Sequence, residues 1–384
     1  MRILQVIHYF SPLHGGGSVN SAYNLSKQLA KRGHDVTIIT TDFEFDDEYI
    51  KSVEKEGVKV IPFHCIVNIS SFLFSPSMKK WLKTNIKNFD VVHMHNFRTY
   101  QNSIVHYYAN KYGISYILQA RGDIPFVYKQ RLKKIYDWIW GYKILKDAPK
   151  AIALTKIEAE DYKKWGVDDD KIEIVPNGID LSEYDNLPKS GEFRKKYSIR
   201  ADEKVILYLG RIHKIKGIDL LVRAFADLVK ELDDVRLVIV GPDDRFLSTL
   251  KSQIEDLKIG DKILFIGPLF EKDKLKAYVD ADVYVLPSVY EVFGNTVLEA
   301  CACGTPVIVT DRCGIADFVD KLGCVVGYNK NQLRDAIIKI LSDEGLRGRF
   351  GEAGRRLVME EFDWDGIVRK IEGVYEDCVK GGIR

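Results

Sequence analysis

At 384 residues the chain exceeds one ordinary domain and suits two of roughly 150–200 residues each. Lys and Arg number 57 against 55 Asp and Glu, a net of +2, which argues against a protein that coats nucleic acid. With 46% hydrophobic and 29% charged residues, a sizeable core is available and global disorder is excluded. Six scattered cysteines make no disulfide scaffold, and Cys301 and Cys303 are too close for a Cys-x-x-Cys pair, so a reducing, cytoplasmic setting is expected. The run Met1–Phe10 lacks the features of a signal peptide, and no stretch approaches the ~18–20 apolar residues of a transmembrane helix.

Short β-branched runs alternate with helical patterns along nearly the whole chain. In the first half, strands are expected at Ile3–Ile7, Asp35–Thr40, Val58–Phe63, Asp90–His95, Ser115–Gln119, Lys150–Leu154 and Ile172–Val175. Their near-continuous apolarity is the pattern of a parallel sheet covered on both faces. Between the first two, Ala22, Leu25 and Leu29 share a helical face, with Lys31 and Arg32 in the last turn and Gly33 just beyond. The second half repeats the grammar at Lys204–Leu209, Val235–Val240, Lys262–Ile266, Asp282–Leu286, Pro306–Val309 and Cys324–Val326. Two doubly wound α/β domains facing across a cleft are therefore expected: 1–185, 186–362, and a helix in 363–384 that packs back on the first domain. The junction is placed in the polar segment Ser182–Glu192.

Ligands of such sheets bind beyond the carboxyl ends of the strands. His14-Gly15-Gly16-Gly17 follows the first strand and opens the first helix, where glycines allow backbone N–H groups to approach a phosphate. A plain tight turn would have the same composition. The spacing is not the G-x-G-x-x-G of dinucleotide binding, which disfavours a nicotinamide oxidoreductase. After the first strand of the second half come Gly210-Arg211 and Lys216-Gly217, a planar fork and a movable point charge for phosphate oxygens. Two surface cations would look alike in isolation.

The most informative stretch is Glu291-Val292-Phe293-Gly294-Asn295-Thr296-Val297-Leu298-Glu299-Ala300. Gly294 frees the backbone where a helix begins. Glu291 sits in the loop within reach of sugar hydroxyls, Glu299 two turns in within reach of a ribose diol, and the N–H groups from Asn295 to Val297 aim at phosphate.

With Asp90-Val91-Val92-His93-Met94-His95, Val175-Pro176-Asn177-Gly178-Ile179-Asp180 and Gly304-Thr305-Pro306-Val307, these motifs resemble the retaining nucleotide-sugar glycosyltransferases of family 4, over essentially the whole chain. The resemblance implies a GT-B fold and sugar transfer from a nucleoside diphosphate donor, UDP- or GDP-linked, to a hydroxyl acceptor. It implies that Glu291 positions the donor sugar, Glu299 holds the ribose, Arg211 and Lys216 stabilise the leaving diphosphate, and Gly16 and Gly17 approach the same phosphates. Phe293, Gly294, Asn295, Thr296 and Val297 complete the donor loop. No metal or other cofactor is implied, because two cations and helix N-termini do its work. His93 and His95 have metal-like spacing but no third ligand.

One departure stands out. Relatives often carry a histidine near the anomeric carbon after the strand Ser115–Gln119; this chain has Gln119-Ala120-Arg121-Gly122-Asp123. Arg121 then suits a phosphate or anionic acceptor, Asp123 an acceptor hydroxyl, and His95 is a further acceptor-side candidate. The helical stretch Tyr128–Lys146 carries Lys129, Arg131, Lys133, Lys134, Lys143 and Lys146 with apolar Leu132, Ile135, Tyr136, Ile139 and Trp140. It is either a core-facing helix with solvated lysines or a helix lying on an anionic membrane that presents a lipid-linked saccharide acceptor. A nucleotide-sugar epimerase of the same fold and a noncatalytic nucleotide-sugar-binding subunit are the alternatives.

Overall fold

The computed structural model describes residues 1–11, 16–69, 72–125, 130–322 and 324–381. They divide into two units, Met1–Gly178 with Trp364–Arg384, and Ile179–Asp363. The passage between units falls at Gly178–Ile179, just ahead of the polar segment Ser182–Glu192, with the return at Asp363–Trp364.

The first unit contains strands β1 (Arg2–Tyr9), β2 (Asp35–Thr41), β3 (Val58–Phe63), β4 (Val67–Ile69), β5 (Phe72–Phe74), β6 (Val91–His95), β7 (Ser115–Gln119), β8 (Lys150–Ala153) and β9 (Ile172–Ile174). Seven of these pair in parallel in the order β3-β2-β1-β6-β7-β8-β9, and β4-β5 is a separate antiparallel hairpin. The order reverses direction between β1 and β6, so the carboxyl ends of these two strands flank the switch point. One core layer, with Ile3, Ile7, Leu25, Leu29 and Val36, is completed by the helix Trp364–Gly381 through Trp364, Ile367, Val368, Ile371 and Tyr375. That helix is tied to the unit by Arg32, whose guanidinium donates to Glu372 at 2.9 Å and Asp365 at 2.8 Å, and by Ser115 Oγ, which donates to the Cys378 carbonyl.

The second unit has β10 (Lys204–Leu209), β11 (Val235–Val240), β12 (Ile263–Ile266), β13 (Val283–Leu286), β14 (Val307–Thr310) and β15 (Val325–Val326), ordered β12-β11-β10-β13-β14-β15, all parallel. Its reversal lies between β10 and β13. The helix Ile218–Leu228 follows β10 and buries Ile218, Leu221, Val222, Phe225 and Leu228 on one side, as its apolar spacing requires. The central strands of both sheets are buried on both faces, which is why they appear in the sequence as largely apolar runs.

The expected helix at Tyr128–Lys146 departs from its pattern. Tyr128 and Lys129 lie outside the described residues. Beyond them, helix Gln130–Tyr136 runs into a π-helical turn at Asp137–Gly141 and then helix Tyr142–Asp147. Asp137 is buried beneath the turn and accepts three contacts from the Arg98 guanidinium at 2.9–3.0 Å. Gly141 makes room for it, since a Cβ there would stand 2.4 Å from Asp137 Oδ1. Of the expected core-facing residues, Tyr136 is buried, its hydroxyl donating to the Thr99 carbonyl at 2.8 Å. Leu132, Ile135, Ile139 and Trp140 are exposed, and Trp138 is 82% exposed. The ion pair, rather than the apolar stripe, turns the helix against the unit.

Candidate active site

In the second unit the motifs around Arg211, Lys216 and Glu291 collect at the carboxyl ends of β10 and β13, the two strands flanking the switch point. Beyond β10, a short 3-10 turn, Lys214–Lys216, leads to Gly217 in a left-handed conformation (φ 64°). A Cβ at Gly217 would lie 1.9 Å from the Pro287 carbonyl oxygen, so only glycine lets this loop lie against the end of β13. Val289 N donates to the Ile215 carbonyl at 2.8 Å and stitches the two loops together. Lys216 Nζ consequently donates to Glu291 Oε2, and both side chains are largely enclosed. The backbone of Glu291 is itself fixed, its carbonyl accepting from Gly314 N at 2.7 Å.

Arg211 is different. Its side chain is 58% exposed and donates to Asp244 Oδ2 at 2.7 Å, a surface pair that a ligand phosphate can displace at little cost. The Arg211 backbone is held by Tyr208, whose hydroxyl donates to its carbonyl at 2.8 Å.

Gly294 (φ 95°) opens helix Asn295–Ala302. Thr296 Oγ1 is 2.7 Å from the Tyr284 hydroxyl. Phe293 and Val297 are buried, Phe293 against Phe362, so the part left for them in a ligand loop is that of backbone groups. Glu299 lies on this helix with both carboxylate oxygens engaged, accepting from Lys274 Nζ and from the Tyr278 hydroxyl, each at 2.9 Å. Burial disfavours the charge on Lys274, but Glu299 more than restores it, and its pKa stands above the ordinary value. The Tyr278 hydroxyl is pushed far up by burial and by Glu299. Lys274 and Tyr278 escaped sequence reasoning. The available signal was their i,i+4 spacing on helix Glu271–Val279, which puts both on one face.

In the first unit Gly16 (φ 53°) and Gly17 begin helix Gly16–Lys31 and are exposed. His14 and Gly15 lie outside the described residues. At the ends of β6 and β7 a buried chain of polar groups runs inward from Arg121. Arg121 Nε donates to His95 Nδ1 at 3.2 Å, and Nη1 donates to Asn177 Oδ1 at 3.0 Å. His95 therefore carries its proton on Nε2, which donates to Gln5 Oε1 at 2.6 Å. Gln5 Nε2 donates to the Tyr375 hydroxyl, which in turn donates to His93 Nδ1 at 2.7 Å. Burial holds His93 neutral, with its pKa at about 3, and pushes His95 well below its ordinary value. His95 is thus sealed behind Arg121 and holds that side chain in place. Arg121 is brought down to about 10 by burial and stays charged near neutrality.

Arg121 (φ 53°) and Gly122 (φ 88°) are both left-handed. The strain is met by Glu158, a buried residue with no sequence motif, whose carboxyl accepts from Gly122 N at 2.6 Å and Leu154 N at 2.7 Å. Burial pushes its pKa up to about 7. Asp123, raised by burial, accepts from Asn96 Nδ2 and Phe97 N at 3.3 Å. Among the described residues no group of three or more His, Cys, Asp or Glu side chains is arranged to hold a metal ion.

The family described as "Glycosyltransferase Family 4" matches residues 15–183, and that described as "Glycosyl transferases group 1" matches residues 189–357. The chain belongs to these glycosyltransferases. It is 28% identical to an uncharacterized glycosyltransferase of Methanocaldococcus jannaschii, covering 98% of each chain. It is 28% identical to the N-acetyl-alpha-D-glucosaminyl L-malate synthase of Bacillus anthracis, covering 95% of each. In fold it is similar to Anabaena HepE, solved in complex with UDP and glucose, with a TM-score of 0.81 at 16% identity over 98% of this chain and 100% of that one. The fold is GT-B, two Rossmann-like domains, and membership of this glycosyltransferase family supports sugar transfer from a nucleotide-sugar donor.

Proposed function

We propose that this glycosyltransferase transfers a sugar with retention of anomeric configuration, from a UDP- or GDP-sugar to a hydroxyl of a lipid-linked or surface-polysaccharide saccharide, without a metal ion. The observation that carries the reading is the Lys216–Glu291 pair at the ends of β10 and β13, with Glu299 clamped on the helix that follows.

A diphosphate entering this loop meets Arg211, Lys216 and the N–H groups that open helix Asn295–Ala302. Together these supply the charge that a divalent cation supplies elsewhere. Lys216 exchanges Glu291 for phosphate oxygen, and Glu291 accepts from the sugar hydroxyls. Glu299 accepts from the ribose diol, held at the right angle by Lys274 and Tyr278. As the bond from the anomeric carbon to the diphosphate breaks, the acceptor oxygen bonds to the same face and its proton passes to a leaving phosphate oxygen. Arg121 and Asp123 face the acceptor side, Arg121 suited to an acceptor phosphate. The exposed apolar and basic segment Arg131–Lys146 supports an acceptor presented at the inner face of a membrane. Among the described residues no helix is long and apolar enough to cross one.

The test is a calorimetric titration with UDP, GDP and their sugar conjugates in chelator, followed by proton NMR of the product linkage. One diphosphate binding in chelator and a product that keeps the donor's anomeric configuration are expected. Binding that requires added metal, inversion of configuration, or a donor isomerised without any acceptor would each overturn this reading.

A further inference from the structure

The first unit contains an open apolar cavity of about 340 Å³, within the range of small-molecule sites. Phe72 and Phe74 of β5 form one wall and Tyr100, Ser103, Ile104, Tyr107 and Tyr108 of helix Tyr100–Tyr112 another, with Trp140 and Lys79 completing the lining. Tyr100 packs edge-on against Phe74 at 4.8 Å and Phe72 at 5.9 Å, so the walls are held by ring contacts while the space between them stays open.

Three further features specify an occupant. The surroundings are apolar and exposed: Ile66, Val67 and Ile69 on the hairpin, Tyr107 on the helix, and Trp138 and Ile139 beside Trp140. Such a cluster on one unit marks a surface meant to leave water. The segment beside the cavity is predominantly basic. Arg131, Lys134, Lys143 and Lys146 are exposed on the segment that supplies Trp140, whereas its acids are engaged, Asp137 by Arg98 and Asp147 by His106. The position also fits. Helix Tyr100–Tyr112 follows β6 directly through Asn96–Thr99, and Asn96 and Phe97 hold Asp123, so the helix starts from the Arg121–Asp123 corner.

We propose that this cavity takes the hydrocarbon chain of the lipid phosphate that carries the acceptor sugar. The proposal rests on the lipid-borne acceptor of the preceding reading. Lys79 in the lining recognises the phosphate, the aromatic walls the chain, and the exposed apolar segment lets the chain pass from a bilayer without crossing water.

The test uses the full chain with hexyl, octyl and decyl phosphate and farnesyl phosphate, each below its micellar concentration, with inorganic phosphate as competitor. Affinity is expected to rise about fourfold per methylene, the factor for burying one CH₂. Filling the cavity with Ile104→Trp or Ser103→Phe should weaken farnesyl phosphate at least tenfold and leave nucleotide binding unchanged. Trp138→Glu should abolish binding to phosphatidylglycerol vesicles and leave farnesyl phosphate in place. Affinity that is independent of chain length, or inorganic phosphate binding as tightly as farnesyl phosphate, overturns the proposal on the wild-type protein alone, whatever the variants do. Transfer to a short soluble saccharide without any chain-dependent binding overturns the cavity's role and leaves the transferase reading standing. Chain binding with no transfer to any prenyl-phosphate sugar overturns the acceptor assignment.

Discussion

Glu299 owes its orientation to two partners on a neighbouring helix, and this makes its contribution divisible by experiment. A carboxylate fixed by Lys274 and the Tyr278 hydroxyl loses little entropy when it accepts a ligand diol. Tyr278→Phe should therefore raise the donor's apparent binding constant about tenfold with little change in kcat, because ribose contacts are made equally in ground and transition states. Glu299→Ala should raise it further, and the double variant should match Glu299→Ala, since Tyr278 acts only through the carboxylate. A double variant worse than Glu299→Ala would give Tyr278 a contact of its own. Lys216→Ala is expected to behave differently, lowering kcat by about 10²–10³, because leaving-group charge develops in the transition state. The approach of Lys216 to Glu291 was legible in the sequence because both stand in loops just beyond strand ends, the position at which ligands of such sheets bind. Glu158, Lys274 and Tyr278 were not, because each acts on a partner distant in sequence.

At the scale of elements, legibility followed how local the cause of each element is. The central parallel strands announce themselves because burial on both faces leaves few polar positions, Gln5, His8, His93 and His95 among them, to interrupt the apolar run. The hairpin β4-β5 does not, since three-residue strands are too short to display a period. The π turn at Asp137–Gly141 was equally invisible: its cause is Arg98, on a loop before another helix, itself left-handed at φ 61° and 39 residues away. This pair decides which face of the segment meets solvent. Removing one partner strands a buried charge, so Asp137→Asn should destabilise the first unit by about 3–5 kcal/mol, measured by urea denaturation. Arg98→Met with Asp137→Leu should recover much of that loss, because an apolar pair needs no charge compensation. Recovery of stability without recovery of vesicle binding would show that the ion pair serves to present the apolar face.

At the scale of the whole molecule, buried ionisable groups in the first unit set opposite pH dependences. His8, His93 and His95 are buried on β1 and β6, and burial depresses all three, His8 to about 4 and His93 to about 3. Unfolded, each binds a proton near pH 6.5; folded, each stays neutral to much lower pH. The unfolded chain thus holds more protons below pH 6.5, and stability falls as the solution is acidified from there toward pH 4. Each imidazole contributes about 1.4 kcal/mol per pH unit, or about 4 kcal/mol per unit for the three together. Glu158 works the other way. Its folded pKa is raised to about 7, so the folded state holds the extra proton between the ordinary carboxylate range and pH 7, and its contribution falls as pH rises through that window. Near pH 5–5.5, where the unfolded imidazoles are almost fully protonated, it offsets one histidine, leaving a net slope of about 2.7 kcal/mol per unit that shrinks toward pH 6.5. Glu158→Gln removes the offset, and the slope in that window should steepen to about 4 kcal/mol per unit while the histidine contribution is unchanged. Urea midpoints at half-unit steps from pH 5 to 7.5, with amide exchange in β1 and β6 reporting on this unit, measure it. An unchanged slope would mean that Glu158 is ionised in the folded protein, in which case the left-handed Arg121–Gly122 turn is held by a carboxylate and the Arg121 charge is already partly neutralised.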